Sequence, residues 1–433
     1  MYSILIIIFI LGYLAIALEH IIKIDKAATA LLTGTLCWTV ILVAANAFFP
    51  ELGTDGQTKF IHSDLLEHLG EISEILFFLL GAMTIVELID AHGGFAIITD
   101  RVSTTSKTKL LWFFCGITFF LSAVLDNLTT AIVMATLLKK LLRDKKDIWF
   151  FGGMIVIAAN AGGAWSPIGD VTTIMLWISG RVTAGNIITT VFVPSILCVL
   201  TPLVVVSLTM RGTIALAYGD GTGISQKSVT SKERLLVFWC GIGGLLMVPV
   251  IKSITHLPPF MCILLLLSLL WTLTEYLHRK KEAEAKRHLI ISGIIKKIDT
   301  PSVLFFLGIL LAVAGLQTVG ILADLALYMQ NHLDNLYVLN TLIGLLSSIV
   351  DNVPLVAGAI GMYPLHQYPQ DHLFWELLSY CAGTGGSALI IGSAAGVAIM
   401  GILKVDFIWY AKRISWLALL GYASGIVYLF VTR

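Results

Sequence analysis

Charge is what this sequence has least of. Only 13% of its 433 residues are Asp, Glu, Lys or Arg, where a soluble domain carries roughly a quarter. With 57% apolar residues and a mean hydropathy of +0.91, the chain cannot coat a water-exposed globule and is built for a bilayer. A net charge of +1 gives no basic field for nucleic acid. Metal-ligand spacing is missing too. Cys37, Cys115, Cys198, Cys240, Cys262 and Cys381 mostly sit inside apolar runs and read as small apolar fillers rather than a disulfide framework. There is no phosphate loop of the G-x-x-x-x-G-K type, no HExxH and no paired CxxC, so ATP-driven pumping and membrane metalloprotease chemistry have no handle. The chain therefore reads as a non-enzyme that needs no cofactor. Before Glu19 there is neither a basic n-region nor a small-residue cleavage site, so the N-terminus reads as an uncleaved first span.

What is present is a carboxylate where none is expected. In SAVLDNLTTAIVMATLL, residues 122–138, Asp126 and Asn127 interrupt an apolar, membrane-deep run. An ionised carboxylate there costs ~3 kcal/mol on insertion scales, so it marks function before structure. The stretch then recurs: LSAVLDNLTT (121–130) is matched by LSSIVDNVPL (346–355), placing Asp126 on Asp351 and Asn127 on Asn352. Upstream, LFFLLGAMTIVELI (76–89) resembles LFFLGILLAVAGLQ (304–317). Downstream, AANAGGAWSPIGDVTTIM (158–175) resembles CAGTGGSALIIGSAAGVA (381–398). Duplicated halves with Gly/Pro-interrupted hydrophobic segments at matching positions point to a secondary transporter.

Hydropathy gives crossings at Tyr2–Leu18, Ala27–Phe48, Ile75–Ile89, Trp149–Ile178 (broken across Asn160–Asp170), Ile187–Thr209, Leu235–Ile251, Pro258–Leu277, Ser302–Val319, 373–403 (broken) and Ser415–Val431. Residues 110–142 and 338–363 read as re-entrant hairpins with Asp-Asn tips. This scheme leaves 24 of the 28 basic residues on the cytoplasmic side, with only Lys59, Arg181, Lys252 and Arg433 outside. Both termini then lie outside, and the repeats enter from opposite sides. The expected fold is an all-α polytopic membrane protein of two inverted repeats, each with a re-entrant helical hairpin and a broken transmembrane helix. It has about ten crossings plus two hairpins. Four parts follow: 1–69, N-terminal spans and an outside loop; 70–210, the first repeat; 211–299, a loop, two spans and a charged cytoplasmic linker; 300–433, the second repeat.

Where helices break, unpaired carbonyls and amides are tolerated at membrane depth only against protein or a water-filled cavity. Such backbone suits a hard cation that prefers oxygen. Around the breaks stand Asp126, Asn127, Asn160, Asp170, Thr172 and Thr173, with Ser347, Asp351, Asn352, Ser387 and Ser393 in the second half. Each Ser or Thr could instead bond back to its own helix. Asp170 aligns with Ser393, so the halves are unequal. No Lys or Arg shares an apolar segment with Asp126, Asp170 or Asp351, which disfavours an anion and favours a cation, or a proton in its place. Burial raises a carboxylate's proton affinity toward the neutral range that competition between H⁺ and Na⁺ requires. Glu74 and Glu87 flank a span and could relay protons, although a span-end carboxylate facing solvent is the simpler reading. His62, His68, His92, His366 and His372 read as solvated residues in loops or near interfaces.

At SAVLDNLTT and NAGGAWSPIGDVTT the chain resembles the NhaD-type sodium/proton antiporters of the ion transporter superfamily. The resemblance covers about 70–178 and 301–403. It implies export of Na⁺, and commonly Li⁺, in exchange for H⁺ across the cell (inner) membrane. The fold it implies is shared with dicarboxylate and arsenite carriers. Transferred by motif, the site comprises Asp126, Asn127, Asn160, Asp170, Thr172 and Thr173, then Ser347, Asp351, Asn352, Ser387 and Ser393, with Na⁺ at Asp126, Asn127 and Asp170. Dicarboxylate relatives carry Ser-Asn-Thr where this chain has Asp-Asn at each tip, and the second break, AGTGGSALIIGSAAG, lacks the Pro of the first. A Na⁺-coupled carrier of a small anion is the alternative on the same scaffold. A homodimer is compatible with the sequence.

Overall fold

The computed structural model describes residues 1–95, 104–214, 229–279, 281, 289–332, 335–349 and 351–433. Most of the polar loop expected at 211–232, and residues 280 and 282–288 of the charged linker expected at 278–299, lie outside the described residues. The regular elements among those described are helices, and Ser106 and Thr213 form an isolated bridge. Nine helices among them are long and apolar enough to cross a membrane.

The first helices are α1 (Tyr2–Ala17), α2 (Lys26–Val43) and α3 (Thr54–Ala91). Asp25 starts α2 by accepting from the Ala27 amide at 2.8 Å. Helix α3 departs from expectation. The polar stretch read as an outside loop is helical and continuous with the third span, giving 38 residues, or about 57 Å at the α-helical rise. No proline interrupts residues 54–91. The residues there are good helix formers, and Gln57 ties the start of α3 back to the Phe49 carbonyl at 3.0 Å. The boundary expected at residue 70 lies inside this helix.

Next come α4 (Lys107–Leu125), α5 (Asn127–Leu141), α6 (Lys145–Ala164), α7 (Val171–Ile178) and α8 (Ala184–Thr209). The long pair α9 (Ser231–Thr255) and α10 (Pro259–His278) follows. Then α11 (Thr300–Thr318), α12 (Ile321–His332), α13 (Leu336–Leu346), α14 (Asn352–Met362), α15 (Leu373–Gly385) and α16 (Ala394–Leu403) repeat the hairpin-and-broken-helix plan. Helix α17 (Phe407–Arg413) turns 118° away from α16 before α18 (Ser415–Thr432).

The two broken helices occupy the centre. Every residue of α6 from Phe151 and of α15 from Phe374 is buried. The contacts of the halves repeat. Ser122 Oγ donates to the Ala159 carbonyl at 2.5 Å, and its counterpart Ser347 donates to the Ala382 carbonyl at 3.0 Å. A Cβ on Gly162 would sit 2.2 Å from the Phe119 carbonyl oxygen; on Gly385 it would sit 2.1 Å from that of Gly344. Hairpin and broken helix therefore meet backbone to backbone in both halves. The same device joins α2 to α11, where a Cβ on Gly308 would lie 2.4 Å from the Leu31 nitrogen.

Candidate functional site: a carboxylate held from both halves

At tip one, α4 stops at Leu125 and α5 starts at Asn127, leaving Asp126 between them with φ +82° and ψ 160°. A non-glycine residue in that region is strained, and the surroundings must hold it there. Thr129 supplies the hold, donating its amide to Asp126 Oδ1 and its hydroxyl to Oδ2, each at 2.8 Å. The first broken helix runs past Asn160 to Ala164, so the gap spans only residues 165–170 and is narrower than expected. Pro167 stands inside the gap, where it cannot continue a helix. Asp170 then caps α7 through a capping box with Thr173.

Asp170 is the centre of the arrangement and is 1% exposed. Its Oδ1 accepts from the Thr172 amide and hydroxyl, both at 2.9 Å. Its Oδ2 accepts from the Asn127 amide of tip one. Across the pseudo-repeat, Asn352 Nδ2 reaches the two Asp170 oxygens at 3.4 and 3.5 Å. Asn127 also donates to Asn160 Oδ1 at 3.2 Å. Asn160 in turn donates to Ser387 Oγ at 2.9 Å and Ser393 Oγ at 2.8 Å, both from the second broken helix. Buried polar groups here are bonded to one another across the halves. Among the described residues, neither Asp126 nor Asp170 has a basic partner.

Asp126, Asn127, Asn160, Asp170, Thr172, Thr173, Asn352, Ser387 and Ser393 are thus in one neighbourhood. Ser347 is not part of it, because its hydroxyl is committed to Ala382. Asp351 adjoins this neighbourhood through Asn352 but is bonded elsewhere. It caps α14 and pairs with Lys26 Nζ at 3.4 Å. A basic group absent from its apolar segment therefore arrives from the start of α2. Glu87 pairs with Lys297 at 3.4 Å and does not join the site. Glu74 lines a cavity of about 420 Å³ with His68, Glu71 and Arg181. The histidines correct two expectations. His68 lies in mid-helix, 3.6 Å from Asp64, and His92 is buried, with its Nε2 2.8 Å from that of His278. Sequence reading also missed Glu376, buried one turn into α15, which accepts from Asn186 at 2.5 Å. A single acid beside a span end carries no signal of that burial.

A polytopic helical chain with an intramembrane carboxylate between two interrupted helices is, by architecture, a secondary transporter. Comparison with known proteins narrows the class. Residues 4–378 match the family described as Citrate transporter. Sodium/proton antiporter 1 of Arabidopsis thaliana is 45% identical over 421 residues, covering 96% of this chain and 70% of that protein. Sodium/proton antiporter 2 of the same plant is 42% identical over 422 residues, 96% of each chain. The Na⁺/H⁺ antiporter NhaD of Vibrio cholerae serotype O1 is 29% identical over 446 residues, covering 97% of this chain and 89% of that protein. The chain belongs to the citrate-transporter family so described and, within it, to the NhaD-type sodium/proton antiporters.

Proposed function

We propose that this protein exchanges Na⁺ for H⁺ across a membrane by alternating access, with Asp126 and Asp170 as the groups that carry either ion. The observation that carries the reading is the convergence of Asn127 and Asn352, one from each hairpin, on Asp170, which has no basic partner among the described residues. An amide that offers its NH₂ to a carboxylate can turn to offer its carbonyl oxygen. Asn127, Asn160 and Asn352 then become oxygen ligands around a Na⁺ that the carboxylates attract. When protons neutralise the carboxylates, the amide donors have less to hold and the cation leaves. Thr172 and Thr173 keep Asp170 aimed by fixing the start of α7. Ser387 and Ser393 hold Asn160, so the second half orients the ligands of the first. The names of the relatives support the same substrate pair, and Li⁺ is the expected second cation.

A citrate-type anion, which the family's description raises, would meet the buried Asp170 and the half-buried Asp126, with no guanidinium or ammonium paired to either among the described residues. The basic-residue asymmetry supports inverted repeats with both termini outside, and the resemblance to NhaD-type antiporters supports residence in the cell (inner) membrane. The test is dye-reported ΔpH in everted vesicles on adding NaCl, then KCl, with no organic anion present. Antiport predicts a sodium-specific collapse of the gradient. A response that appears only once a di- or tricarboxylate is supplied would replace this reading with anion symport.

A further inference from the structure

Asp351 occupies the position of Asp126 but is held differently, and the reason is local. Three residues after Asp126 stands Thr129, which binds both carboxylate oxygens; three residues after Asp351 stands Pro354, which has neither an amide hydrogen nor a hydroxyl. Among the described residues, Asp351 Oδ1 therefore takes only the Val353 amide, at 3.2 Å, and Oδ2 takes Lys26 Nζ, at 3.4 Å. That distance is long beside the roughly 2.7–2.9 Å of a tight charge-assisted bond. Both side chains keep some solvent contact, 23% for Lys26 and 13% for Asp351. The ammonium is steadied from behind by the Phe305 ring, 4.5 Å from its centroid. Phe305 stands on α11, and the glycine contact of α11 with α2 keeps Lys26 in place.

The pair faces a cavity of about 470 Å³, lined in part by Glu19, Asp25, Lys26 and Asp351. An adjoining one of about 370 Å³ adds Asp299. Lys23 also lines the first cavity, but the acids outnumber the lysines in both and favour cations; Asn352, next to Asp351 in the chain, reaches Asp170.

We propose that Lys26 is a built-in competitor for Na⁺. Its ammonium occupies the free oxygen of Asp351, and a cation arriving through this cavity must displace it before reaching Asn352 and Asp170. Lys26 is thus a positioning residue that sets apparent Na⁺ affinity from one face and leaves the turnover step alone. The inference rests on the antiport reading for its transport assay, but not for its binding assay.

The experiment compares Lys26→Gln, Lys26→Arg, Asp351→Asn and the double variant Lys26→Gln/Asp351→Asn. Na⁺ KM and maximal rate are measured in everted and in right-side-out vesicles, and radiolabelled Na⁺ binding in detergent-purified protein. Lys26→Gln should lower KM roughly two- to fivefold, the effect of one partly solvated charge pair. The fall should be confined to one face, with maximal rate unchanged and Na⁺ binding tightened to match. Lys26→Arg should restore the wild-type KM, and the double variant should show no fall relative to Asp351→Asn. An unchanged or raised KM in Lys26→Gln, or a fall of equal size in the double variant, overturns the proposal. If wild-type vesicles move no protons with Na⁺, the antiport reading fails. The binding comparison of Lys26→Gln with wild type then decides the competition by itself, with unaltered affinity as the refuting result.

Discussion

The two hairpin tips share a sequence and differ in how they hold their acid. Asp126 is forced to φ +82°, gripped by Thr129 on both oxygens and without a basic partner among the described residues; Asp351 sits at a relaxed φ of −50°, loosely capped and paired with Lys26. The broken helices diverge in the same direction, with Asp170 in one and Ser393 in the other capping the following helix. The first half thus holds the uncompensated charge. The second holds neutral polar groups, Asn352, Ser387 and Ser393, that orient it. Duplication has given two copies of a frame in which only one concentrates charge.

The largest test of that inequality is neutralisation. Asp126→Asn and Asp170→Asn should each abolish Na⁺-driven proton movement, by at least about 100-fold, because an amide keeps the shape but cannot bind and release a proton. Asp351→Asn should keep exchange and raise Na⁺ KM. Exchange above half of wild type in a properly inserted Asp126→Asn or Asp170→Asn protein would remove the inequality.

In packing, by contrast, the halves should behave alike. Gly162→Ala and Gly385→Ala each drive a methyl group into a carbonyl oxygen, and each should cost about 1–3 kcal/mol or more, seen as loss of monodisperse protein in detergent. Gly116→Ala on α4, where nothing lies within 4 Å of the added carbon, serves as the neutral control. A large cost in one half only would mean that the repeated contacts do not bear equally on the fold.

Competition at Asp126 and Asp170 makes the third prediction. Protons and Na⁺ seek the same oxygens, so Na⁺ KM should rise as pH falls, approaching tenfold per unit for each competing proton, and level off at alkaline pH. The slope should persist in Asp351→Asn, whose missing acid is not among the competing groups. Measuring KM and maximal rate between about pH 6.5 and 9 decides it. A flat KM with changing rate would shift the pH response to the buried His92–His278 contact or to His68.

The smallest effect is expected at Thr129→Val, which removes one of the two bonds to Asp126. KM should rise several-fold, about 1 kcal/mol for one hydrogen bond, with exchange preserved. No change in KM would show that the threonine hydroxyl does not tune the acid.

How much of this could be read from sequence depends on which force dominates at each position. Asp126, Asn127, Asp170 and Asn352 stand out because burying them in apolar runs is costly, and that cost is visible one segment at a time. Asn160 and Ser393 could be singled out from the breaks around them, although the bond between them could not. Lys26 was invisible as a site residue. It reads as an ordinary basic residue between spans, and its partner is 325 residues away. The length of α3 was missed for another reason: hydropathy reports where a helix is apolar and falls silent where a helix continues into polar sequence.

The glycine contacts have a consequence for descent. Where two helices touch through main-chain atoms, as at Gly162 against Phe119 and Gly385 against Gly344, the fit does not depend on neighbouring side chains. A duplicated gene inherits that seam intact and can then vary the tips without reworking the joint. Thr129 and Pro354, or Asp170 and Ser393, could part ways because the scaffold never relied on them. In this protein chemical specialisation and structural inheritance are written in different atoms, so one half could take a lysine partner from α2, outside both repeats, while the other kept its acids bare.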